Sequence, residues 1–145
     1  MKTLLKIKIA TIAILTLLSA TAMADSNKKL TEEKCLAMTI YYEARGEPVT
    51  GQYAVADVVL NRVEDERFPD SICDVIKQKN QFHWKKVLPK QNISWFVATN
   101  VARDIISNET HRGITEGAVF FQRSSKVPSY ADEKTKKIGN HNFFL

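Results

Sequence analysis

The feature that most constrains the fold is a helix break within the stretch "IYYEARGEPVTG", residues 40–51. Apolar residues recur at helical spacing up to this stretch: Leu36, Ala37, Ile40 and Tyr41. Gly46 is suited to ending a helix, and Pro48 disfavours helical backbone at the residue before it. The sequence therefore predicts two consecutive helices joined by a tight turn, with a glutamate on each side of Gly46.

The first 24 residues have the composition of a secretory signal peptide. Three lysines precede an apolar run from Ile9 to Leu18, and Ala22-Met23-Ala24 supplies the small residues that signal peptidase accepts. The run is short for a bilayer span, which favours cleavage over an uncleaved membrane anchor. We therefore expect residues 1–24 to be removed and residues 25–145 to act in the periplasm or the extracellular envelope, without a stable membrane span.

The net charge is mild once the signal peptide is set aside. The full chain has 21 basic and 16 acidic residues, and the signal peptide contains three of the lysines, which leaves a balance of +2. This balance is too small to indicate nucleic acid binding, and the sequence has no basic face interleaved with aromatic residues. A slight positive charge suits an anionic envelope polymer, among many other partners.

Two cysteines, Cys35 and Cys73, remain in the mature chain. Export favours a disulfide between them, which would close a loop of about 40 residues and contribute about 3–4 kcal/mol. The competing hypothesis is an amidase or peptidase with a cysteine nucleophile served by His141. It is disfavoured because the second cysteine is available to form a disulfide with the first, and a cysteine in a disulfide is no nucleophile. The three histidines have no metal-ligand spacing, so we expect no metal and no cofactor.

The remaining patterns predict a single α+β domain, mostly helical, with a small sheet at its C-terminal end. Helices are expected over residues 50–63, capped by Thr50, in a short segment capped by Asp70, and over residues 92–106. Core residues expected from the last helix are Trp95, Phe96, Val101 and Ile105. The segments "GAVFFQ" and "GNHNFFL" are typical of neighbouring strands, and the polar segment 123–137 between them is expected to cross without packing by itself. We expect a monomer.

Glu43 lies in the last turn of the first predicted helix, where the helix dipole disfavours a negative charge. Apolar and aromatic neighbours in the sequence make a partly apolar setting available. Both conditions favour the protonated carboxyl group, which is the form that a general acid requires. Tyr41 and Tyr42 lie about 100° apart on the helix, so one is expected in the core and the other in a cleft beside Glu43.

Three blocks of sequence carry a resemblance to a known family. The blocks "CLAMTIYYEARGEPVTGQYAVADVVLNRV", "FPDSICDVIKQKNQFHW" and "IGNHNFFL" resemble the SleB-type cell wall hydrolase family, named for spore cortex-lytic enzymes. The resemblance runs from Cys35 to the end of the chain, and its first block is the most specific. It implies a lysozyme-like fold related to lytic transglycosylases, which cleave peptidoglycan between N-acetylmuramic acid and N-acetylglucosamine. The catalytic glutamate of the family falls on Glu43.

The number of catalytic carboxyl groups distinguishes two reactions. A transglycosylase needs one carboxyl group, whereas a hydrolase would need a second acid, for which Glu47, Asp57 and Asp65 are candidates. We favour the transglycosylase, because Glu47 is expected to support the turn and Asp57 to point outward from its helix. Glu47 would accept backbone N–H bonds or pair with an arginine, Arg45 or Arg62. The alternatives are a hydrolytic muramidase or glucosaminidase and a non-catalytic peptidoglycan-binding protein of the same fold.

Further residues are candidates for contacts with the glycan. Sugar rings stack on aromatic side chains and amides bind acetamido groups, which points to Tyr42 and to Gln81, Phe82 and Trp84 of "NQFHW". Phe82 and Trp84 could equally belong to the core. His141 falls on the closing "IGNH" of the family, where either a substrate contact or a structural hydrogen bond is expected.

Overall fold

The computed structural model describes residues 32–83 and 87–145. Helix α1 covers 32–44, followed by α2 (Val49–Glu64), α3 (Ile72–Lys77) and α4 (Ile93–Asn108). The strands are β1 (Phe120–Gln122), β2 (Lys134–Ile138) and β3 (His141–Phe144). The prediction of a mostly helical α+β fold with a small C-terminal sheet is confirmed. The predicted signal peptide, residues 1–24, and the candidate residue Trp84 lie outside the described residues.

The helix break after Glu43 is present in the structure. Helix α1 ends at residue 44, and the Glu47 N–H donates to the Ala44 carbonyl at 2.9 Å, which closes a tight turn. Pro48 then occupies the N-cap position of α2, with φ of −51° and ψ of 154°. The prediction that Thr50 caps α2 is wrong, because the proline starts the helix earlier and Thr50 lies within its first turn.

Helix α2 lies between the other helices and the sheet. Its face with Ala56 and Val59 belongs to the main core, to which α1, α3 and α4 also contribute. Its face with Ala54 and Val58 packs against Phe143 of β3 in a second, smaller core. Because both faces are buried, α2 fixes the end of α1 relative to the sheet.

A disulfide joins α1 to α3. Cys35 is bonded to Cys73, with 5.3 Å between their Cα atoms, which confirms the predicted pairing. Both sulfur atoms belong to the disulfide and neither is a free thiol, so the hypothesis of a cysteine nucleophile is wrong. The predicted cap of α3 is also wrong: Ser71, and not Asp70, occupies the N-cap and accepts a hydrogen bond from the Asp74 N–H at 3.3 Å.

Helix α4 buries most of the residues that its pattern predicts. Trp95, Val101 and Ile105 lie in the core, whereas Phe96 is 67% exposed, which contradicts the prediction. The buried face of the helix is formed by Trp95, Ala98, Val101, Ala102 and Ile105, and Phe96, about 100° from Trp95, falls outside it. The helix begins after Asn92, whose side chain accepts a hydrogen bond from the Trp95 N–H at 2.9 Å.

The sheet is antiparallel with strand order β1-β3-β2. Strands β1 and β3 are the predicted neighbours, and they pair with Phe121 opposite Phe143. Strand β2 begins within the segment 123–137, for which the sequence predicts a polar crossing and no strand. Its lysines are exposed and its backbone pairs with β3, so its order comes from hydrogen bonds that hydrophobic patterning does not signal. Lysine is typical of edge strands, where it discourages pairing with other chains. No helix in the described part of the chain is long and apolar enough to cross a membrane.

Candidate active site

A cleft of about 1030 Å³ opens between the end of α1, the segment after α3, and strands β1 and β3. It brings together four residues that the sequence predicts for the site: Tyr42, Glu43, Gln81 and His141. Phe82 also lines the cleft and packs against the main core, so its position is compatible with both of the roles considered for it. Glu43 is the one carboxylate residue among the described residues that line this cleft.

Glu43 is held by a residue that the sequence analysis assigned no catalytic role. Its Oε1 accepts a hydrogen bond from the His83 backbone N–H at 2.7 Å and lies 2.8 Å from His83 Nδ1. The Glu43 side chain is 12% exposed, whereas the His83 side chain is 83% exposed and lies at the solvent side of the contact. The two residues are 40 positions apart, so no local pattern indicates that they meet.

One tyrosine of α1 lies in the core and the other lines the cleft, as predicted, and the structure shows which is which. Tyr41 is buried, with its ring edge-on to Trp95 at 6.1 Å between centroids. Its hydroxyl accepts a hydrogen bond from Asn92 Nδ2 at 3.3 Å. Tyr42 lines the cleft, and its hydroxyl donates to the Val87 carbonyl at 3.1 Å. Tyr42 is therefore the tyrosine that accompanies Glu43.

Glu47 ties the α1–α2 turn to the turn between β2 and β3. Its Oε2 accepts from the Asn140 backbone N–H at 2.8 Å, and its Oε1 accepts from Asn140 Nδ2 at 3.2 Å. Burial raises the pKa of Glu47, but the two Asn140 hydrogen bonds, together with the positive charge of Arg123, outweigh burial, and the pKa is lowered overall. Glu47 is therefore a carboxylate at neutral pH.

Gly139 permits this close approach. Its φ is +58°, and a Cβ built on it would collide with Glu47 Oε2. Only glycine adopts this backbone conformation without strain and leaves the space that the carboxylate occupies.

Arg62 of α2 forms the floor of the cleft and does not pair with Glu47. It is 3% exposed, and its Nε donates to the Val119 carbonyl at 2.7 Å. Burial lowers the pKa of Arg62 to about 10, against the opposing effect of Tyr130, so the guanidinium stays charged at neutral pH. Three ring centroids lie within 5.4 Å of it: Phe68, Phe82 and Phe120. Cation–π contacts of this kind compensate part of the loss of hydration.

Arg62 also holds the side chain of Gln81, one of the residues predicted to contact the substrate. Its Nη1 donates to Gln81 Oε1 at 3.1 Å, and Gln81 is an exposed residue that lines the cleft. The second arginine considered as a partner of Glu47, Arg45, lies with its guanidinium 4.9 Å from the centroid of the Tyr41 ring.

His141 is buried at the start of β3, beside the cleft. Its ring lies edge-on to Phe121 at 5.1 Å, and its Nδ1 has no hydrogen-bond partner among the described residues. Burial lowers the pKa of His141 more than the negative charge of Glu47 raises it. The imidazole is therefore neutral at neutral pH.

Asp57 is fully buried, so the prediction that it points outward from α2 is wrong. Its Oδ1 accepts from the Gly113 N–H at 2.9 Å and forms an ion pair with Arg112. Its Oδ2 accepts from the N–H of Thr115 at 3.1 Å and from its hydroxyl at 2.6 Å. Asp57 therefore anchors the loop between α4 and β1, and it does not line the cleft.

The third acid considered for a hydrolase, Asp65, also lies off the cleft. It forms an ion pair with Arg67 at 2.7 Å near the end of α2. Within the described ranges, no group of three or more His, Cys, Asp or Glu side chains is placed to hold a metal ion.

A family match covers most of the chain. The family described as Cell Wall Hydrolase matches residues 46–144. The chain belongs to this family. The matched segment contains Glu47, Gln81 and His141 and begins at Gly46, within the turn that follows α1, so Glu43 lies three residues before it.

Spore cortex-lytic enzymes are among the relatives of this chain. The enzyme of Halalkalibacterium halodurans is 54% identical over 111 residues, which are 74% of this chain and 33% of the relative. The enzyme of Oceanobacillus iheyensis is 30% identical over 112 residues, which are 74% of this chain and 39% of the relative. The chain thus spans between 33% and 39% of the length of these relatives.

Two solved structures share the fold of this chain. The catalytic domain of the Bacillus cereus SleB protein aligns with a TM-score of 0.64 and 29% identity, over 79% of this chain and 89% of that chain. The catalytic domain of the germination-specific lytic transglycosylase SleB from Bacillus anthracis aligns with a TM-score of 0.63 and 28% identity, over 79% and 93%. The chain therefore has the fold of a SleB catalytic domain.

Proposed function

We propose that this chain is an exported enzyme that cleaves the glycan strands of peptidoglycan between N-acetylmuramic acid and N-acetylglucosamine by lytic transglycosylation. Glu43 is the single catalytic acid. Membership of the cell wall hydrolase family supports the substrate class, and the solved relative named a lytic transglycosylase supports the reaction. The observation that carries the proposal is the presence of one carboxylate residue, Glu43, among the described residues of the cleft.

The reaction needs Glu43 in two protonation states in turn. The protonated carboxyl group donates its proton to the glycosidic oxygen while the bond from that oxygen to C1 of the muramoyl sugar breaks, through an oxocarbenium-like transition state. The carboxylate then accepts the proton of the muramoyl 6-hydroxyl as its oxygen bonds to C1. The product is a 1,6-anhydro ring, no water is consumed, and Glu43 is protonated again.

Hydrolysis with two carboxyl groups would need a second acid across the sugar ring. Each candidate for it is engaged elsewhere. Glu47 is bound by Asn140, Asp57 is buried among donors from the 109–117 loop, and Asp65 is paired with Arg67. These contacts favour the transglycosylase over the hydrolytic alternative.

Other residues of the cleft are assigned supporting roles. Tyr42, Gln81 and His141 are proposed to contact the glycan from the walls, and Trp84 is added on the sequence pattern alone. Glu47 supports the site from outside the cleft by holding the Gly139–Asn140 turn. Two arginines, Arg62 and Arg123, line the same cleft and give it a positive charge that suits the carboxylates of peptidoglycan.

Digestion of purified peptidoglycan, with mass analysis of the products, tests the proposal. We expect the wild type to release fragments with 1,6-anhydromuramoyl ends and Glu43→Gln to lose about 10²- to 10⁴-fold in rate, because glutamine has no proton to transfer. Glu66→Gln, the same chemical change at an exposed residue off the cleft, is the matched control and should retain the wild-type rate. Full activity of Glu43→Gln, or cleavage of stem peptides, would refute the proposal, and reducing ends would indicate the hydrolase.

A further inference from the structure

We propose that His83 is a positioning residue that fixes the direction of the Glu43 carboxyl group, binding Oε1 so that Oε2 carries the catalytic proton. The inference rests on the proposed function, in which Glu43 is the acid. Two contacts carry it, and both go to the same oxygen: the His83 backbone N–H at 2.7 Å and His83 Nδ1 at 2.8 Å.

The chemistry of these donors distinguishes the two carboxyl oxygens. A protonated carboxyl group has one carbonyl-type oxygen, which is the better acceptor, and one hydroxyl oxygen, which donates. The backbone N–H of His83 can only donate, and Nδ1 donates when it carries the ring proton. The backbone N–H favours the carbonyl form at Oε1, and Nδ1 does the same in the tautomer that carries the ring proton there, which leaves the hydroxyl at Oε2.

The same contacts assist the step after proton transfer. When Oε2 has lost its proton, Glu43 is a carboxylate, and hydrogen bonds to a charged acceptor are stronger than those to a neutral one. The two N–H groups of His83 thus stabilise the state that Glu43 reaches once the glycosidic bond is broken. No other carboxylate in the described part of the cleft competes for these N–H groups.

Burial gives the positioning its effect. The Glu43 side chain is 12% exposed, so solvent contributes little to its orientation and the His83 contacts are the main polar restraint described for it. A reacting group misplaced by about 1 Å can lose about 10²-fold in rate. A side chain at position 83 that cannot donate should therefore act on the chemical step more than on binding.

Three variants at position 83, assayed on soluble uncross-linked glycan fragments, test this role. Asparagine places its Nδ2 near the position of Nδ1 and donates without titrating, whereas alanine removes the donor and leaves the backbone N–H. We expect His83→Ala to lose roughly 10- to 100-fold in kcat with little change in KM, the effect of losing one bond to a charged group. His83→Asn should recover most of the rate, and His83→Leu should resemble alanine.

Two outcomes would overturn the positioning role. One is an unchanged kcat in His83→Ala, and the other is an equal loss in His83→Asn and His83→Ala, which would indicate a steric role of the ring. Urea unfolding of each variant separates these outcomes from a loss of folded protein. Glu43→Gln, assayed in parallel, separates the two proposals: if it retains full activity the proposed function fails, and if only His83→Ala retains it the positioning role alone fails.

Discussion

Glu43 and Asp57 are two carboxyl groups with little exposure whose surroundings differ. Both oxygens of Asp57 accept hydrogen bonds, from Gly113 and Arg112 on one side and from Thr115 on the other. The bonds to Glu43 converge on Oε1, and the residue opens on the cleft. A carboxylate whose acceptor capacity is filled by the protein stabilises the fold, whereas one that is partly filled and faces a cleft remains available for proton transfer.

The largest expected effect on stability comes from removing the Asp57 carboxylate, both of whose oxygens accept hydrogen bonds. Asp57→Ala leaves the Gly113 and Thr115 N–H groups without their acceptor and leaves Arg112 with Glu64 as its ion-pair partner. Removing one member of a buried ion pair costs about 3–5 kcal/mol. We expect this loss in the free energy of unfolding measured by urea denaturation with the disulfide intact. Glu43→Ala is the matched truncation, and it should cost less, about 1–2 kcal/mol, because the donors that it leaves belong to His83, whose side chain is exposed. Equal losses in the two variants would remove the contrast between the sites.

A glycine from each region sharpens the comparison. Gly113 in the Asp57 loop and Gly139 beside Glu47 both have positive φ, at +74° and +58°. A Cβ at Gly113 has no neighbour within 4 Å, whereas a Cβ at Gly139 collides with Glu47 Oε2. Gly113→Ala should therefore cost about 1–2 kcal/mol from backbone strain alone. Gly139→Ala should cost more in unfolding free energy and should also lower kcat, because it displaces the turn next to His141.

The stability measurements would contradict this interpretation if Gly139→Ala were no worse than Gly113→Ala. Recovery of the Gly139→Ala loss by shortening Glu47, in the double variant with Glu47→Ala, would support the collision directly. The two substitutions are in contact, so their effects should not add.

The smallest expected effect is on the pH dependence of stability. The pKa of His141 is lowered from its ordinary 6.5 by burial, so between the two values the unfolded chain binds more protons than the folded chain. This contribution to stability is complete above pH 6.5 and is lost as the pH falls below it. The lowered pKa of Glu47 acts in the same direction below its ordinary value of 4.5. Between pH 7 and pH 5, the free energy of unfolding in urea should therefore fall less steeply with decreasing pH for His141→Gln than for the wild type. An unchanged pH dependence in His141→Gln would contradict the burial of a neutral imidazole.

Local patterns in the sequence predicted the part of the site that local backbone determines. The helix break at Gly46 and Pro48 and the position of Glu43 near the helix end follow from residues within one or two turns. The disulfide was predicted from the expectation of export and from the presence of only two cysteines in the sequence.

The remainder depends on partners that are distant in the sequence. Glu47 meets Asn140 across 93 positions, and Asp57 meets the Thr115 hydroxyl across 58. Strand β2 is ordered by backbone pairing with β3, which its polar composition does not reveal. His83 contacts Glu43 through its backbone as well as its ring, and a backbone donor leaves no signature in residue type.

Digestion of peptidoglycan by the wild-type protein in water enriched in heavy oxygen tests the central claim most directly. If Glu43 is the single acid and the muramoyl 6-hydroxyl attacks C1, mass analysis should show anhydromuramoyl ends without incorporated label. Reducing ends that carry the heavy oxygen would show that water attacks C1, and this result would contradict the account of the cleft as a site with one catalytic carboxylate.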